Sequence, residues 1–447
     1  MRTFLLFTTL SLFSQVTGFT QEKRWTLSDC ILYAVEHSQS LERQSAQNEI
    51  YKQNFINAII NQTPNINASV GAGSNYGRGI DYSTNTYTNV SSVSNNYGIS
   101  ATMPVFSGLS YLNTTRHHNI MRKMGHERKQ EIEDNISLQT MTAFYDVLYY
   151  KAMVNLALEQ LKESEENLRK IRQMESLGMK GKADLAEVEA KKAGDQYNLI
   201  RQQNMLRTTI LKLKENMYFP IENELEIDAT MPEILMVQTS IDDVSSIYEA
   251  AKENLPIAKA LNFQLQGAKA DYAASKGALF PILSFSAGVS TGYSSTMTDT
   301  QGKKASFESQ FKNNMGEYIG LSLSIPVFNN NILGTKTRIS KQTYRMAEVT
   351  YNEEIRKLQN DIQQAVLDME GTAEEFLQAQ QREKASDLAY KVNLRKYEEG
   401  LLSIIELYTS SNQLLTVKAE KIRAHVNYVI KKRLVDYYQN GAIIIEN

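Results

Sequence analysis

The chain has 447 residues, a formal net charge of −2 and 42% hydrophobic residues, enough for one large domain or two ordinary ones. A charge this close to zero offers nucleic acid no electrostatic footprint, so no nucleic-acid partner is expected. A single cysteine, Cys30, excludes an internal disulfide.

Residues 1–20 read as a secretory signal peptide. Arg2 supplies the positive start, residues 4–13 form an apolar core broken only by Thr and Ser, and cleavage fits after Gly18 or after Thr20. The core is too short to span a bilayer. Leu27-Ser28-Asp29-Cys30 faintly resembles a lipoprotein signal. However, Asp29 stands where a small residue is needed, and Glu22, Lys23 and Arg24 separate Cys30 from the apolar core. Cys30 is therefore read as a buried helix residue.

Two stretches then alternate with period two. In 64–76, Ile66, Ala68, Val70 and Ala72 alternate with Asn67, Ser69, Gly71 and Gly73. In 95–106, Ile99, Ala101, Met103 and Val105 alternate with Gly98, Ser100 and Thr102. Such spacing places one set on each face of a strand. The polar stretch 78–94 between them reads as an exposed loop. From about 112 to 177 there is no proline and one glycine, Gly125, which predicts a helix on the order of 100 Å long. Val147, Val154, Leu161 and Leu168 recur every seven residues, and Leu185, Leu199, Leu206 and Leu213 keep the same step, with Lys192 interrupting it. Heptads of this length favour coiled-coil packing. The richest apolar window, 144–158, contains Asp146 and Lys151, so no transmembrane helix is expected.

The second half repeats the plan. Leu283, Phe285, Ala287 and Val289 alternate with Ser284, Ser286 and Gly288 in 281–294, and Ile319, Leu321, Leu323 and Ile325 with Gly320, Ser322 and Ser324 in 317–328. The stretch 295–314 reads as a second exposed loop. Ile355, Leu358, Ile362, Ala365, Met369 and Phe376 follow a three–four spacing, and Tyr408, Leu415, Ile422 and Val429 a seven-residue one. Pro104-Val105-Phe106 and Pro326-Val327-Phe328, Gly178 and Gly400, and Asp184 and Glu406 all stand 222 residues apart. The expected organisation is a signal peptide (1–20), a first repeat (21–225), a connecting segment (226–241), a second repeat (242–440) and a C-terminal tail (441–447).

The polar faces of the four strands carry Ser, Thr, Asn and Gly and almost no charge, which suits a membrane barrel with a wet lumen. Tyr76, Tyr97, Tyr293 and Tyr318 lie near strand ends, where interfacial aromatics belong. Four strands cannot close a barrel, and an open sheet would leave backbone groups unpaired in lipid. Other copies must complete it. Two copies give about eight strands and three about twelve, and a through-channel favours the wider barrel.

The chain resembles the TolC family of outer-membrane efflux channel proteins. WTLSDCILYAVEHSQSL resembles the family's first helix. MPVFSG and IPVFNN end the strand pairs, SLGMKGKADL and EEGLLSIIEL turn the long helices at a glycine, and the whole is duplicated. The resemblance implies a mainly helical fold with membrane β-structure. Long coiled-coil helices would form a periplasmic α-barrel, and four strands per chain would enter the 12-stranded outer-membrane β-barrel of a homotrimer. It further implies contact with outer-membrane lipid, a periplasmic adaptor protein and an inner-membrane pump, and no enzymatic activity or cofactor. Carried over by position, Glu406, Asp184 and Tyr397 become periplasmic gate candidates. Gly178 and Gly400 become helix-tip turns that meet the adaptor. Pro104, Phe106, Pro326 and Phe328 become strand–helix junctions. Thr409 and Leu402 depart from the family pattern of a second acid and an arginine, so a salt-bridged lock is not expected in that form.

The five histidines, His37, His117, His118, His126 and His425, lack a surrounding carboxylate or cysteine cluster, and Gly71-Ala72-Gly73 lacks the strand-then-helix setting of a phosphate loop. No metal site or catalytic constellation is expected. The alternatives are a cell-surface coiled-coil protein without a channel and a soluble periplasmic adaptor built of helical hairpins.

Overall fold

A computed structural model of the chain describes residues 24–81, 85–234, 236–241 and 243–442. The expected signal peptide and residues 443–447 of the expected tail lie outside them. Among the described residues nine helices and four strands follow one another. The first set is α1 (Leu27–Glu36), α2 (Gln39–Ile60), β1 (Asn65–Asp81), β2 (Thr86–Phe106), α3 (Ser110–Ser176) and α4 (Lys182–Met217). The second is α5 (Val244–Asn254), α6 (Pro256–Gly277), β3 (Ile282–Ser294), α7 (Phe307–Asn313), β4 (Gly316–Ser324), α8 (Ile332–Glu398) and α9 (Ile404–Asn440). No described helix is long and apolar enough to cross a membrane.

The long helices form where the heptads predict them. α3 and α8 have 67 residues each, about 100 Å. Every residue of the three–four row in α8 is buried: Ile355, Leu358, Ile362, Ala365, Met369 and Phe376. One apolar cluster joins α1, α3, α4 and α9 around Cys30, Val147, Leu213 and Met217. A second joins α5, α8 and α9 around Ala251, Ile362 and Tyr428. Cys30 is fully buried, as a small apolar helix residue should be.

The four strands form one antiparallel sheet in chain order, β1-β2-β3-β4, so β1 and β4 are its edges. The register carries the alternation across all four strands. Ile66, Ala101, Ala287 and Ile319 stand side by side, as do Ala68, Ile99 and Val289. The opposite face aligns Asn67, Ser100 and Gly288, and beside them Ser69, Gly98 and Ser290. One mainly apolar and one mainly small polar face result, as period two requires, with Glu317 beside Val289 at the edge of the apolar one.

Three features differ from the expectation. The first is length. β1 and β2 run on through most of 78–94, because Thr86, Tyr87, Thr88, Val90 and Val93 are β-formers paired with 74–81. The second is α7, which folds within 295–314. The third is Tyr318. It lies on the polar face over Gly288, where a Cβ would come 2.7 Å from its Cε1, rather than on the apolar face with Tyr76, Tyr97 and Tyr293.

Pro104 lies inside β2 at a register shift against β3, where the ladder tolerates its missing N–H. Pro326 stands beyond the end of β4. The change from strand to helix is made a few residues later, by two consecutive left-handed residues in each half. Gly108 and Leu109 have φ of +60° and +67°, and Asn330 and Asn331 have +53° and +61°. Each of these pairs again stands 222 residues apart. Asn tolerates this conformation and Leu does not. Leu109→Asn is therefore expected to stabilise the protein by about 1 kcal/mol, and Asn331→Leu to destabilise it comparably. Thermal unfolding in detergent, followed by circular dichroism, reads both. Unchanged midpoints in both variants would show that the turn stores no strain.

Candidate functional site

The helix tips hold the residues singled out from the sequence. α3 ends at Leu177 in a Schellman turn, with Gly178 at φ +73°, Met179 N–H on Met174 O at 2.9 Å and Gly178 N–H on Glu175 O at 2.9 Å. α8 ends the same way, with Gly400 at φ +75°, Leu401 N–H on Lys396 O at 2.8 Å and Gly400 N–H on Tyr397 O at 3.0 Å. Both glycines are exposed, and a side chain there would meet open space, so only the backbone conformation requires them.

Glu406 and Asp184 occupy the third position of the helices that follow. Ser403 N–H and Oγ–H donate to Glu406 Oε2 at 3.1 and 2.8 Å, and Glu406 N–H donates to Ser403 Oγ at 3.2 Å, a complete capping box. These bonds hold the exposed Glu406 carboxyl below the usual carboxylate range, the Ser403 hydroxyl contributing most. At the other tip Gly181 replaces the serine, so only half the box forms: Gly181 N–H donates to Asp184 Oδ2 at 3.1 Å.

Tyr397 and Tyr408 lie beside the tips in a small apolar cluster with Ile171, Val188, Ile404 and Leu185. Lys180 Nζ stands 5.7 Å from the centre of the Tyr397 ring. Burial raises the pKa of both phenols. Asp184 adds to the effect on Tyr397, and Tyr397 to that on Tyr408. Both hydroxyls are buried without a hydrogen-bond partner. Asp184 and Tyr397 are thus neighbours, whereas the hydrogen bonds of Glu406 stay within its own cap.

Sequence reasoning missed a polar belt above the tips. Ser164 and Asp195 are buried and bonded to each other, and Lys191 pairs with Asp195 at 2.7 Å. The Tyr390 hydroxyl donates to Glu163, tying α8 to α3, and Gln160 Nε2 donates to Ser411 Oγ at 3.3 Å, tying α3 to α9. Ion pairs run alongside: Arg172–Glu189 at 2.8 Å, Lys421–Glu383 at 2.7 Å and Arg382–Glu420 at 2.6 Å. The signal was present in the heptads. Ser164 stands three residues after Leu161 and Asp195 three after Lys192, where a coiled-coil seam expects apolar residues. Burial raises the pKa of Glu163, Lys191 and Lys418 oppose the rise, and Asp195 and Glu166 add to it.

The sheet forms the other candidate surface. Its apolar face is largely uncovered, with Ile319 80%, Val70 77% and Leu321 70% exposed, and Tyr97 and Tyr293 at one end are packed by Phe311 and Phe307 of α7. An apolar patch of this kind marks a surface that meets lipid or another chain.

Residues 247–433 match the family model of the outer membrane efflux protein. Solved structures with the same fold include the outer membrane protein VceC from Vibrio cholerae, with a TM-score of 0.78 at 12% identity over 94% of this chain and 97% of that one. The Campylobacter jejuni CmeC outer membrane channel matches with a TM-score of 0.77 at 15% identity over 94% and 87%. The open state of the Neisseria gonorrhoeae MtrE outer membrane channel matches at 0.72 and 17% identity over 92% and 88%. No curated protein matches the chain in sequence. The family resemblance and the mainly helical fold with one antiparallel sheet, both read from the sequence, are borne out.

Tyr408→Phe removes a buried hydroxyl that has no partner, so it is expected to leave stability unchanged or raise it by about 1 kcal/mol. A loss of that size in detergent melts would mean that the hydroxyl is bonded. Glu163 has a folded-state pKa above its unfolded value, so its contribution to stability falls as pH rises from the ordinary carboxylate range through the folded pKa. Comparison of melts across that window is expected to show this slope in the native protein and its loss in Glu163→Gln.

Proposed function

We propose that the chain is the outer-membrane exit duct of a tripartite efflux or type I secretion system. It would work as a homotrimer that conducts cargo passively from an inner-membrane pump, through a periplasmic adaptor, to the outside. The observation that carries this reading is the sheet. It has one largely uncovered apolar face, one small polar face and two unpaired edges, and it runs directly into helices long enough to cross a periplasm. An open edge in lipid costs several kcal/mol for each unpaired backbone group, so β4 of one copy has to meet β1 of the next. Three copies bring twelve strands, which leaves a lumen, whereas about eight are filled by their own side chains. The small polar residues then line water and the apolar ones face lipid.

In this reading the periplasmic ends are the tips. Gly178 and Gly400 make the turns that meet the adaptor, and Asp184 and Glu406, repeated by threefold symmetry, form acidic rings that favour cations at the constriction. The repeats span 21–225 and 242–440, joined by 226–241. The 222-residue offset of the left-handed turns and of Gly181 with Ser403 supports this division. Energy comes from the pump, and the role of this chain is conduction rather than catalysis. The uncovered apolar sheet counts against both a soluble adaptor and a surface coiled coil.

Cap and gate can be separated experimentally. Glu406→Gln keeps an acceptor for the Ser403 N–H but removes the charge. It is expected to raise resting conductance and reduce cation preference in planar bilayers several-fold. Ser403→Ala removes the cap and is expected to lower stability by about 1 kcal/mol while leaving conductance unchanged. If Glu406→Gln conducts like the native trimer, the acid is a helix cap and the gate lies elsewhere. A folded trimer with no conductance in any variant removes the duct reading.

A further inference from the structure

We propose that residues 295–315 form an edge strap that continues the barrel wall where β4 stops and docks against the outer half of β1 in a second copy of this chain. The inference rests on the trimeric reading above and adds an interface to it.

The two edges that meet in a closed ring are unequal. β1 has 17 residues and β4 has 9, so β4 can pair with only about half of its neighbour. β4 begins at Gly316, opposite Ser290, and β3 continues to Ser294 without a fourth strand beside it. The backbone groups left over are not free. Ser294 N–H donates to Gln310 Oε1 at 2.8 Å, and Gln310 Nε2 donates back to Ser294 O at 3.0 Å. Asn314 Nδ2 donates to Gly292 O at 2.7 Å. These are the groups that alternate with the ones facing β2, where Ser295 N–H meets Val93 O at 2.8 Å. Two side-chain amides therefore stand in the plane of the sheet and repeat the donor–acceptor pattern of a missing strand.

The strap is built to stay there. Gln310 is 3% exposed and also bonds Ala305 O at 2.9 Å. Phe311 packs 5.5 Å from Tyr97, and Phe307 5.6 Å from Tyr293, on the apolar face. Thr291 Oγ1 donates to Phe311 O at 2.8 Å.

What remains uncovered is the side away from β3. On the strap Ser309, Lys312 and Met315 are exposed, and Met315 directly precedes β4. Beyond the reach of β4, residues 74–81 of β1 are paired to β2 on one side only. In a ring, that half-paired edge and the strap face each other across the same seam as β4 and β1. Lys312 and Glu308 pair with each other at 3.0 Å within the strap, and this exposed pair, with Arg78 of β1 over the Tyr87 ring, brings opposite charges to a strand edge that needs polar partners.

Cysteine cross-linking tests the seam in the full-length protein in outer membranes, where the fully buried Cys30 does not interfere. One series pairs Met315→Cys with Ser74→Cys, Asn75→Cys, Tyr76→Cys or Arg78→Cys. A second pairs Ile319→Cys with Asn67→Cys, Ala68→Cys, Ser69→Cys or Val70→Cys. Oxidation is expected to move most of the protein to dimer and trimer bands on non-reducing gels for at least one pair in each series. Cross-links in the second series with none in the first would overturn the strap and leave the trimer standing. Absence of both would sink the trimer itself. A second readout needs no pairing. Met315→Cys alone is expected to react with an impermeant maleimide several-fold more slowly than Gln301→Cys at the outer turn, and equal rates would also overturn the strap.

Discussion

A β-strand placed in hydrocarbon must satisfy every backbone N–H and C=O within protein, and the assembly proposed for this chain follows from that requirement. The sheet has four strands, a largely uncovered apolar face and two open edges, so a single copy has no stable position in a bilayer. In the assembly proposed above, completion by neighbouring copies turns two strand pairs per chain into a wall. The same requirement operates at the end of β3, where Gln310 and Asn314 side chains take up backbone groups that no strand reaches. A carboxamide carries one donor face and one acceptor, so it can replace a peptide unit in a ladder.

The helical part meets a different constraint. Two antiparallel helix pairs, in each of which a helix of about 100 Å lies along one of about 55 Å, could slide or re-register if every contact were aliphatic. The buried heptad rows of α8 supply the association, and the polar belt supplies register. Ser164, Asp195 and Lys191 fix α3 against α4, while Tyr390 with Glu163 and Gln160 with Ser411 fix one pair against the other. Such groups contribute little net stability when buried, and a role in position fits them better. The unpartnered hydroxyls of Tyr397 and Tyr408 lie in the apolar cluster beside the tips, outside this network.

The two halves repeat a plan without repeating its chemistry. Both strand-to-helix turns use two left-handed residues, but one half spends an asparagine pair on them and the other a glycine and a leucine. Both tips end in a glycine turn and start the next helix with an acid, but Ser403 completes its capping box and Gly181 cannot. The second tip is therefore the more firmly capped. The 222-residue offset survives because these positions are set by backbone geometry, which tolerates several side chains as long as φ and the first-turn acid are kept.

The sequence by itself determined the elements. Period-two alternation marked each strand and its two faces, seven-residue spacing marked the long helices and their buried rows, and the glycines marked the tips. Each of these signals is local, because side-chain direction follows from backbone period alone. Only the tertiary structure decided how far β1 and β2 extend, that α7 stands where an edge strand would, that Gly288 is the neighbour over which the Tyr318 ring lies, and that Glu163 meets Tyr390 across 227 residues of chain. Those outcomes depend on which groups remain unpaired once neighbours are in place, and a partner hundreds of residues away leaves no periodic trace in the chain.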